Sequence, residues 1–177
     1  MLLDATLEIL AEEGWGGLSL ERVAERAGTS RVTLWRQGVT RDKLVDALLE
    51  RLTADYQESL WPILTAAGSG RERLDQALHA LCAVANRHLQ LLLASDTAFH
   101  QAQARAETQP SFLGPLVRLL HDGAADGSLG APADYEARAN VLFNTVCWSF
   151  VHLRGRHGWS AQRASALVID LVLNGVE

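Results

Sequence analysis

The sequence predicts an all-α protein, in which an N-terminal three-helix head of the helix-turn-helix type precedes a C-terminal helical bundle, with about nine helices in all. Apolar residues recur at helical spacing along the chain, without strand-like alternation or an internal repeat. Glycine, proline and serine residues divide the chain into segments of helical length. With 177 residues, of which 48% are hydrophobic, the chain can bury a sizeable core.

Capping and turn residues delimit the first two helices. The first is predicted over residues 2–13, whose apolar side chains share one face, and Gly14 in the GWGG turn ends it. Ser19 is a side-chain acceptor placed to cap the second helix. Gly28 ends that helix, because glycine adopts a positive φ without steric cost and so turns the chain sharply. Ala24 is small enough for the second and third helices to cross closely.

The third helix is short and is capped by Ser30. Leu34 is predicted to point inward, together with either Val32 or Thr33. The side chains predicted to point outward are Arg31, Trp35 and Gln37.

The later helices are delimited by the same kinds of signal. Thr40 caps a long fourth helix that is disturbed near Trp61 and Pro62, and the GSG segment at 68–70 separates it from the fifth. We expect a fifth helix over roughly residues 72–93, a sixth over 96–106, a seventh opened by Pro110, an eighth of about twenty residues from Asp134, and a ninth capped by Ser160.

The last two helices predict how the chain associates. The eighth carries apolar residues around most of its circumference, and the ninth has one apolar stripe. A helix that is apolar on several sides needs cover on several sides. The sequence therefore predicts a two-fold homodimer in which the last two helices of each subunit form a four-helix interface. The alternative is a monomer with a larger single core.

Charge and composition exclude several classes of protein. The net charge is −5, yet residues 29–43 carry four cationic side chains against Asp42 alone, a local charge of +3 around the third helix. The N-terminus lacks the basic region of a signal peptide, and no apolar run approaches the roughly 18 residues of a membrane span, so we expect a cytoplasmic protein without a membrane partner. Cys82 and Cys147 are predicted to be buried thiols, because each lies alone in an apolar helical run.

Three segments of the first third of the chain, EILAEEGW, LSLERVAERAGTSRVTLWRQ and TRDKLVDAL, occur in the order typical of one family. On these segments the chain resembles the tetracycline-repressor (TetR) family of one-component transcriptional regulators. The resemblance implies a helix-turn-helix DNA-binding domain over residues 1–45 and a ligand-binding and dimerisation domain over residues 46–177. It also implies a repressor that a small molecule releases from double-stranded DNA. Recognition helices held about 34–36 Å apart in a dimer would read a palindromic operator.

Contacts with DNA can be assigned to the predicted third helix and its flanks. Arg31 can pair with a guanine edge, Thr33 and Gln37 can reach other base edges, and Val32 can touch a thymine methyl. By resemblance, Trp35 stands where the family often has a phosphate-binding Tyr, and Arg41 follows the family's usual Lys. Ser19 is a further phosphate candidate. For Trp35 and Val32 the alternative is packing inside the head.

The family keeps a small-molecule pocket between the fourth and eighth helices, and here an apolar or amphipathic ligand is expected. Asn144 is the preferred polar anchor, because an amide in an apolar helix needs a partner; a hydrogen bond across the dimer is the alternative. Each candidate has ordinary core packing as its alternative. The candidate pocket residues are Trp61, Leu78, Cys82, Phe99, Phe112, Asn140, Asn144, Cys147, Trp148 and His152.

Neither catalysis nor a bound cofactor is predicted, since the chain contains no GxSxG, P-loop, dinucleotide or HExxH motif. No metal site is predicted either, because Asp96 and His100 share one helix face but two ligand-type residues do not make such a site. Gly38 stands where the family usually carries an aromatic or large apolar residue, and no Arg or Lys precedes Arg22. These departures leave a second function open, a dimeric small-molecule-binding protein with a degenerate DNA-binding head.

Overall fold

The computed structural model describes residues 1–94 and 112–175, and all regular secondary structure in these ranges is helical, which confirms the predicted fold class. The described residues form nine helices: α1 (Leu2–Gly17), α2 (Leu20–Arg26), α3 (Arg31–Arg36), α4 (Arg41–Leu64), α5 (Gly70–Arg87), α6 (Leu89–Ala94), α7 (Gly114–Ala125), α8 (Tyr135–Gly155) and α9 (Ala161–Asn174).

Contacts group the described residues into two units. The first unit comprises residues 1–52 and 88–94, and the second comprises residues 53–87 and 112–175. The division falls inside α4, after Leu52, whereas the sequence suggested a boundary after residue 45. The assignment of DNA binding to residues 1–45 and of ligand binding to residues 46–177 stays a prediction.

The turn and capping residues of the first two helices act as the sequence indicated, but α1 continues to Gly17 instead of ending at residue 13. Gly14 has a φ of 65° and interrupts α1, after which one further turn runs to Gly17. The Ser19 side chain accepts a hydrogen bond from the Arg22 backbone N–H and caps α2. Gly28 has a φ of 67°, which lets the next residue, Thr29, donate its backbone N–H to the carbonyl of Ala24 at 2.9 Å.

Helix α3 is capped as predicted but has one inward side chain instead of two. Ser30 accepts from the Thr33 backbone N–H at 3.1 Å, and Leu34 is buried. Val32 and Thr33 are both exposed, so the prediction that one of them points inward is wrong. Helix α3 has only six residues. Val32 and Thr33 lie about 200° and 100° around the helix axis from Leu34, so neither shares its buried side.

Gly38 closes α3. It has a φ of 65°, and beyond it the Val39 backbone N–H donates to the Leu34 carbonyl at 3.0 Å. The Lys43 ammonium group donates to the Gly38 carbonyl at 2.8 Å. An L side chain here would have to adopt the left-handed conformation, at a cost of roughly 1–2 kcal/mol. The glycine is therefore what this backbone turn requires.

The predicted fifth helix is two helices. Helix α5 ends at Arg87 and α6 begins at Leu89, with the buried His88 between them. The break could not be predicted, because residues 72–93 contain neither glycine nor proline and their apolar spacing continues through it. The predicted sixth helix over 96–106 and the Pro110 start of the seventh lie outside the described residues.

The core of the second unit lies among α5, α7, α8 and α9. Helix α8 is capped by Asp134, which accepts from the Ala137 N–H at 2.9 Å, and α9 is capped by Ser160, both as predicted. The largest fully buried side chains of these four helices are Leu74, Leu78, Leu116, Leu119, Phe150 and Ile169. This core fixes which faces of α8 and α9 remain at the surface.

Candidate nucleic-acid interface

Helix α3 presents a row of side chains to solvent while Leu34 anchors it from behind. Val32 is 57% exposed and Trp35 is 77% exposed, so neither packs inside the head. The alternatives of core packing for these two residues therefore do not hold. The exposed row consists of the predicted residues Arg31, Val32, Thr33, Trp35 and Gln37.

The foremost base-reading candidate, Arg31, already has a partner in this head. Its guanidinium Nη1 forms an ion pair with Oε1 of Glu21 on α2, and both side chains are more than half exposed. The Thr33 hydroxyl is within 2.9 Å of the Ser30 hydroxyl. Sequence reasoning missed Glu21, because an ion pair across a helix-turn-helix corner follows from the crossing of the helices and has no fixed sequence spacing.

Two of the predicted phosphate contacts are engaged within the first unit. Ser19 uses its hydroxyl oxygen to cap α2. The Arg41 guanidinium donates from Nη2 to the Trp15 carbonyl at 2.7 Å, and its central carbon lies 4.4 Å from the centre of the Trp15 ring. Arg41 thus ties the start of α4 to the end of α1. Because its Nε is buried, only the remaining Nη N–H groups can serve a phosphate.

Acidic side chains of α1 pair with the arginines of α2. Arg26 contacts Glu8 at 3.2 Å and Glu12 at 2.7 Å, and Arg22 pairs with Glu13. The hydrogen bond from Arg26 lowers the pKa of Glu12, and the same bond raises the pKa of Arg26. Because these arginines and Arg31 are paired with glutamates, the basic character of the candidate interface is carried by Arg36 and by Arg41 and Lys43 at the start of α4.

Some predicted pocket residues lie inside the second unit. Leu78, Cys82 and Cys147 are buried, and Trp148 is half-buried. Burial raises the pKa of each thiol to about 12, so both cysteines remain neutral. The three buried residues form part of an apolar interior.

Phe112 is half-buried in the same unit, within an aromatic cluster. The Phe112 ring lies 5.1 Å from the ring of Tyr56 and 5.8 Å from that of Phe143, measured between centroids. The Tyr56 hydroxyl donates to the Phe112 carbonyl at 2.6 Å, and burial raises the pKa of Tyr56. Sequence reasoning missed Tyr56 and Phe143, although an aromatic residue at helical spacing was an available signal.

Other predicted pocket residues lie on the surface. Trp61 is 70% exposed, and Asn140, Asn144 and His152 are exposed on α8. The Asn144 side-chain amide donates to the backbone and side-chain oxygens of Asn140, one turn earlier, at 2.9 and 2.6 Å. Its local partner is thus within α8. Phe99 lies outside the described residues, as do Asp96 and His100.

Helices α8 and α9 leave apolar side chains at the surface. Val141 on α8, and Leu167 and Leu171 on α9, are each at least half exposed. At about 100° per residue, Thr145 and Trp148 fall on the same side of α8 as Val141. We call these residues, Val141, Thr145, Trp148, Leu167 and Leu171, the outer face.

Over residues 1–94 and 112–175, no helix combines the length and the apolar composition that crossing a bilayer requires.

No curated protein matches the chain in sequence.

Residues 2–48, which contain α1 to α3 and the start of α4, match the family profile "Bacterial regulatory proteins, tetR family". Solved structures resemble the chain over nearly its whole length. A transcriptional regulator of the TetR/AcrR family from Thermobifida fusca is 20% identical, with a TM-score of 0.72 over 99% of this chain and 96% of that one. The fatty acid degradation regulator FadR from Bacillus halodurans is 15% identical, with a TM-score of 0.83 over 99% and 94%.

A third structure, the transcriptional regulator FadR from Bacillus subtilis in complex with stearoyl-CoA, is 15% identical, with a TM-score of 0.75 over 99% of this chain and 98% of that one. At these sequence identities the solved structures show only the fold. The match over residues 2–48 identifies the head. Residues 2–48 are thus of the tetR family of bacterial regulatory proteins by sequence, and the chain as a whole is similar in fold to the solved regulators.

Proposed function

We propose that this protein is a transcriptional repressor of the bacterial cytoplasm, which binds a palindromic operator as a homodimer and leaves it when a small apolar or amphipathic molecule binds the second unit. The exposed row on α3 is the observation that carries the proposal. Arg31 and Gln37 suit base edges, the Val32 methyls suit a thymine methyl, and the Trp35 indole N–H suits a phosphate oxygen.

Replacing Arg31 tests the DNA-binding half of the proposal. We expect Arg31→Ala to weaken binding to a duplex selected from randomised palindromes by about five- to 150-fold, the equivalent of about 1–3 kcal/mol for a lost base contact. Fluorescence anisotropy at several salt concentrations measures the affinity. Arg138→Ala removes the same charge from the exposed surface of α8 and should leave the affinity near that of the wild type.

Absence of any DNA preference would favour the second function over the repressor. If the wild-type chain prefers no duplex at any salt concentration, the head is degenerate and the chain is a dimeric ligand-binding protein. Gly38 supports a functional head, because its left-handed turn ends α3 and the side chains of the row before it are exposed.

The ion pair between Arg31 and Glu21 leads to a second prediction. Binding a base requires Arg31 to leave Glu21 or to share its hydrogen bonds. We expect Glu21→Gln to tighten operator binding by about 1.4- to fivefold, since exposed ion pairs contribute about 0.2–1 kcal/mol.

Glu25→Gln is the matched control, with the same change of charge one turn later on the exposed side of α2. In an Arg31→Ala background, Glu21→Gln should confer no gain, as a double-mutant cycle would measure. Equal gains from Glu21→Gln and Glu25→Gln would mean that general repulsion from phosphate acts here, and not release of Arg31.

The ligand we propose is a long acyl chain carried by a polar group. The apolar interior around Cys82, Cys147 and the Tyr56–Phe112 cluster supports this class, as does the stearoyl-CoA bound to the Bacillus subtilis regulator of the same fold. We expect stearoyl-CoA to release the protein from its operator, whereas coenzyme A without an acyl chain should not. Release by both compounds, or by neither, would contradict this choice of ligand. The same fluorescence anisotropy measurement follows release of the protein from the operator.

A further inference from the structure

Two histidine rings meet at the C-terminal end of α8. Nε2 of His152 lies 3.1 Å from Nε2 of His157, and the ring centroids are 4.9 Å apart with the planes inclined at 59°. Both residues are exposed in the single chain, and His152 lies at the C-terminal end of the side of α8 that carries Val141. The candidate DNA interface uses neither ring.

The turn that carries His157 is held by several hydrogen bonds. After Arg156 caps α8, Gly158 adopts a φ of 64°, and the Trp159 backbone N–H donates to the Leu153 carbonyl at 3.1 Å. The Arg154 side chain donates to the Trp159 carbonyl and, at 2.9 Å, to Oδ1 of Asn86 on α5. His157 is therefore placed over the end of α8 by the backbone.

The separation of the two nitrogen atoms suits a shared metal ion. Histidine nitrogens bind Zn²⁺ at about 2.0–2.1 Å, so two such ligands stand about 3.3 Å apart at a tetrahedral angle and about 2.9 Å apart at a right angle. The observed 3.1 Å lies between these values. In the metal-free protein this separation is that of a hydrogen bond between the two rings, and a bound ion would replace the shared proton.

We propose that His152 and His157 bind one divalent transition-metal ion per chain, of the class that prefers imidazole: Cu²⁺, Ni²⁺ or Zn²⁺. No group of three or more His, Cys, Asp or Glu side chains suited to a metal occurs within residues 1–94 and 112–175, so water completes the coordination. Hard cations such as Mg²⁺ and Ca²⁺ prefer oxygen ligands and do not bind here. The site does not depend on DNA binding.

Equilibrium dialysis of the full chain, without a histidine tag, against each metal ion alone tests the proposal. We expect one Cu²⁺ per chain, weaker binding of Ni²⁺ and Zn²⁺, and no binding of Mg²⁺. His152→Ala and His157→Ala should each weaken Cu²⁺ binding by at least about tenfold, the lower end of what even an outer-shell partner is worth to a metal site. The electron paramagnetic resonance spectrum of bound Cu²⁺ should show two nitrogen ligands.

His121→Ala is the matched control, since this exposed histidine stacks on Tyr135 and lies on α7. It should retain wild-type Cu²⁺ binding. Gly158→Ala keeps both ligands but strains the turn, and should weaken Cu²⁺ binding while the helix content, followed by circular dichroism, stays unchanged.

Two results would overturn the proposal. One is a wild-type affinity for Cu²⁺ no higher than that of the His152→Ala, His157→Ala double variant. The other is an equal loss in His121→Ala, which would place the ion elsewhere. Because both histidines are exposed, their substitution leaves the core of the second unit intact, and unchanged helix content verifies this.

Discussion

Gly70→Ala is expected to lower the free energy of unfolding of the second unit by about 3 kcal/mol, the upper part of the range for overpacking a core. A Cβ atom on Gly70 would lie 2.2 Å from the backbone nitrogen of Gly123 and 2.3 Å from its Cα. These are backbone atoms of α7, which cannot swing aside as the end of a side chain can. The Gly70 N–H also donates to Asp126 at 2.6 Å, so moving α5 away would break this bond.

Urea unfolding followed by circular dichroism measures the loss. Gly130→Ala is the matched control in the same unit, because a Cβ there meets nothing within 4 Å and the backbone is not left-handed. It should stay within about 0.5 kcal/mol of the wild type. If Gly70→Ala is equally harmless, α5 and α7 do not approach each other as closely as the structure has them.

Replacing both exposed leucines of α9 by glutamate is expected to make the protein a monomer. Leu167 and Leu171 belong to the outer face, where we propose that two copies meet. In a symmetric dimer each substitution occurs in both subunits, so four leucines are lost from the interface. Each leucine is about half exposed in the single chain, so dimerisation buries about half of its surface. With about 1.5–3 kcal/mol for full burial of a leucine, the loss is at least about 3 kcal/mol, or more than about a hundredfold in the dimer dissociation constant.

Sedimentation equilibrium measures the association directly. Ala166→Glu adds the same charge to α9 at an exposed position about 100° around the helix from Leu167, and the dimer should persist. The double variant should also lose tight binding to a two-half-site operator, because one head makes half of the contacts. A double variant that remains dimeric would show that another surface joins the copies.

Much of the local structure could be predicted, since capping and chain reversal depend on neighbouring residues. Ser19, Ser30, Asp134 and Ser160 cap the helices that the sequence indicated. Gly28 ends α2 where it was expected. Each of these interactions joins atoms within a few residues of one another, so the required side chain is visible in the sequence.

The candidate interface was predictable in part. That Arg31, Trp35 and Gln37 face outward follows from helical periodicity, whereas the engagement of Arg41 with Trp15 and of Arg31 with Glu21 does not. These contacts join residues that are brought together only by the crossing of helices. Helical periodicity gives the direction of a side chain but not its partner.

The second unit shows the same limit. Gly70 was interpreted as part of a separator between helices, yet it is the first residue of α5 and is packed against Gly123. Trp61 and Asn144 were assigned to the family's pocket, Asn144 because an amide in an apolar helix needs a partner, but both lie at the surface. Which side of an apolar helix is covered depends on the helices beside it.

The sequence by itself determined the helical class, the caps and the glycine turns, because hydrogen bonds over three to five residues and the conformational freedom of glycine are local properties. Only the tertiary structure decided the close approach of Gly70 to Gly123, the exposure of the outer face and the pairing of His152 with His157. The two histidines are five residues apart, a spacing that a continuous helix does not bring together. They meet because the turn after α8 folds back, held by contacts that reach as far as Asn86.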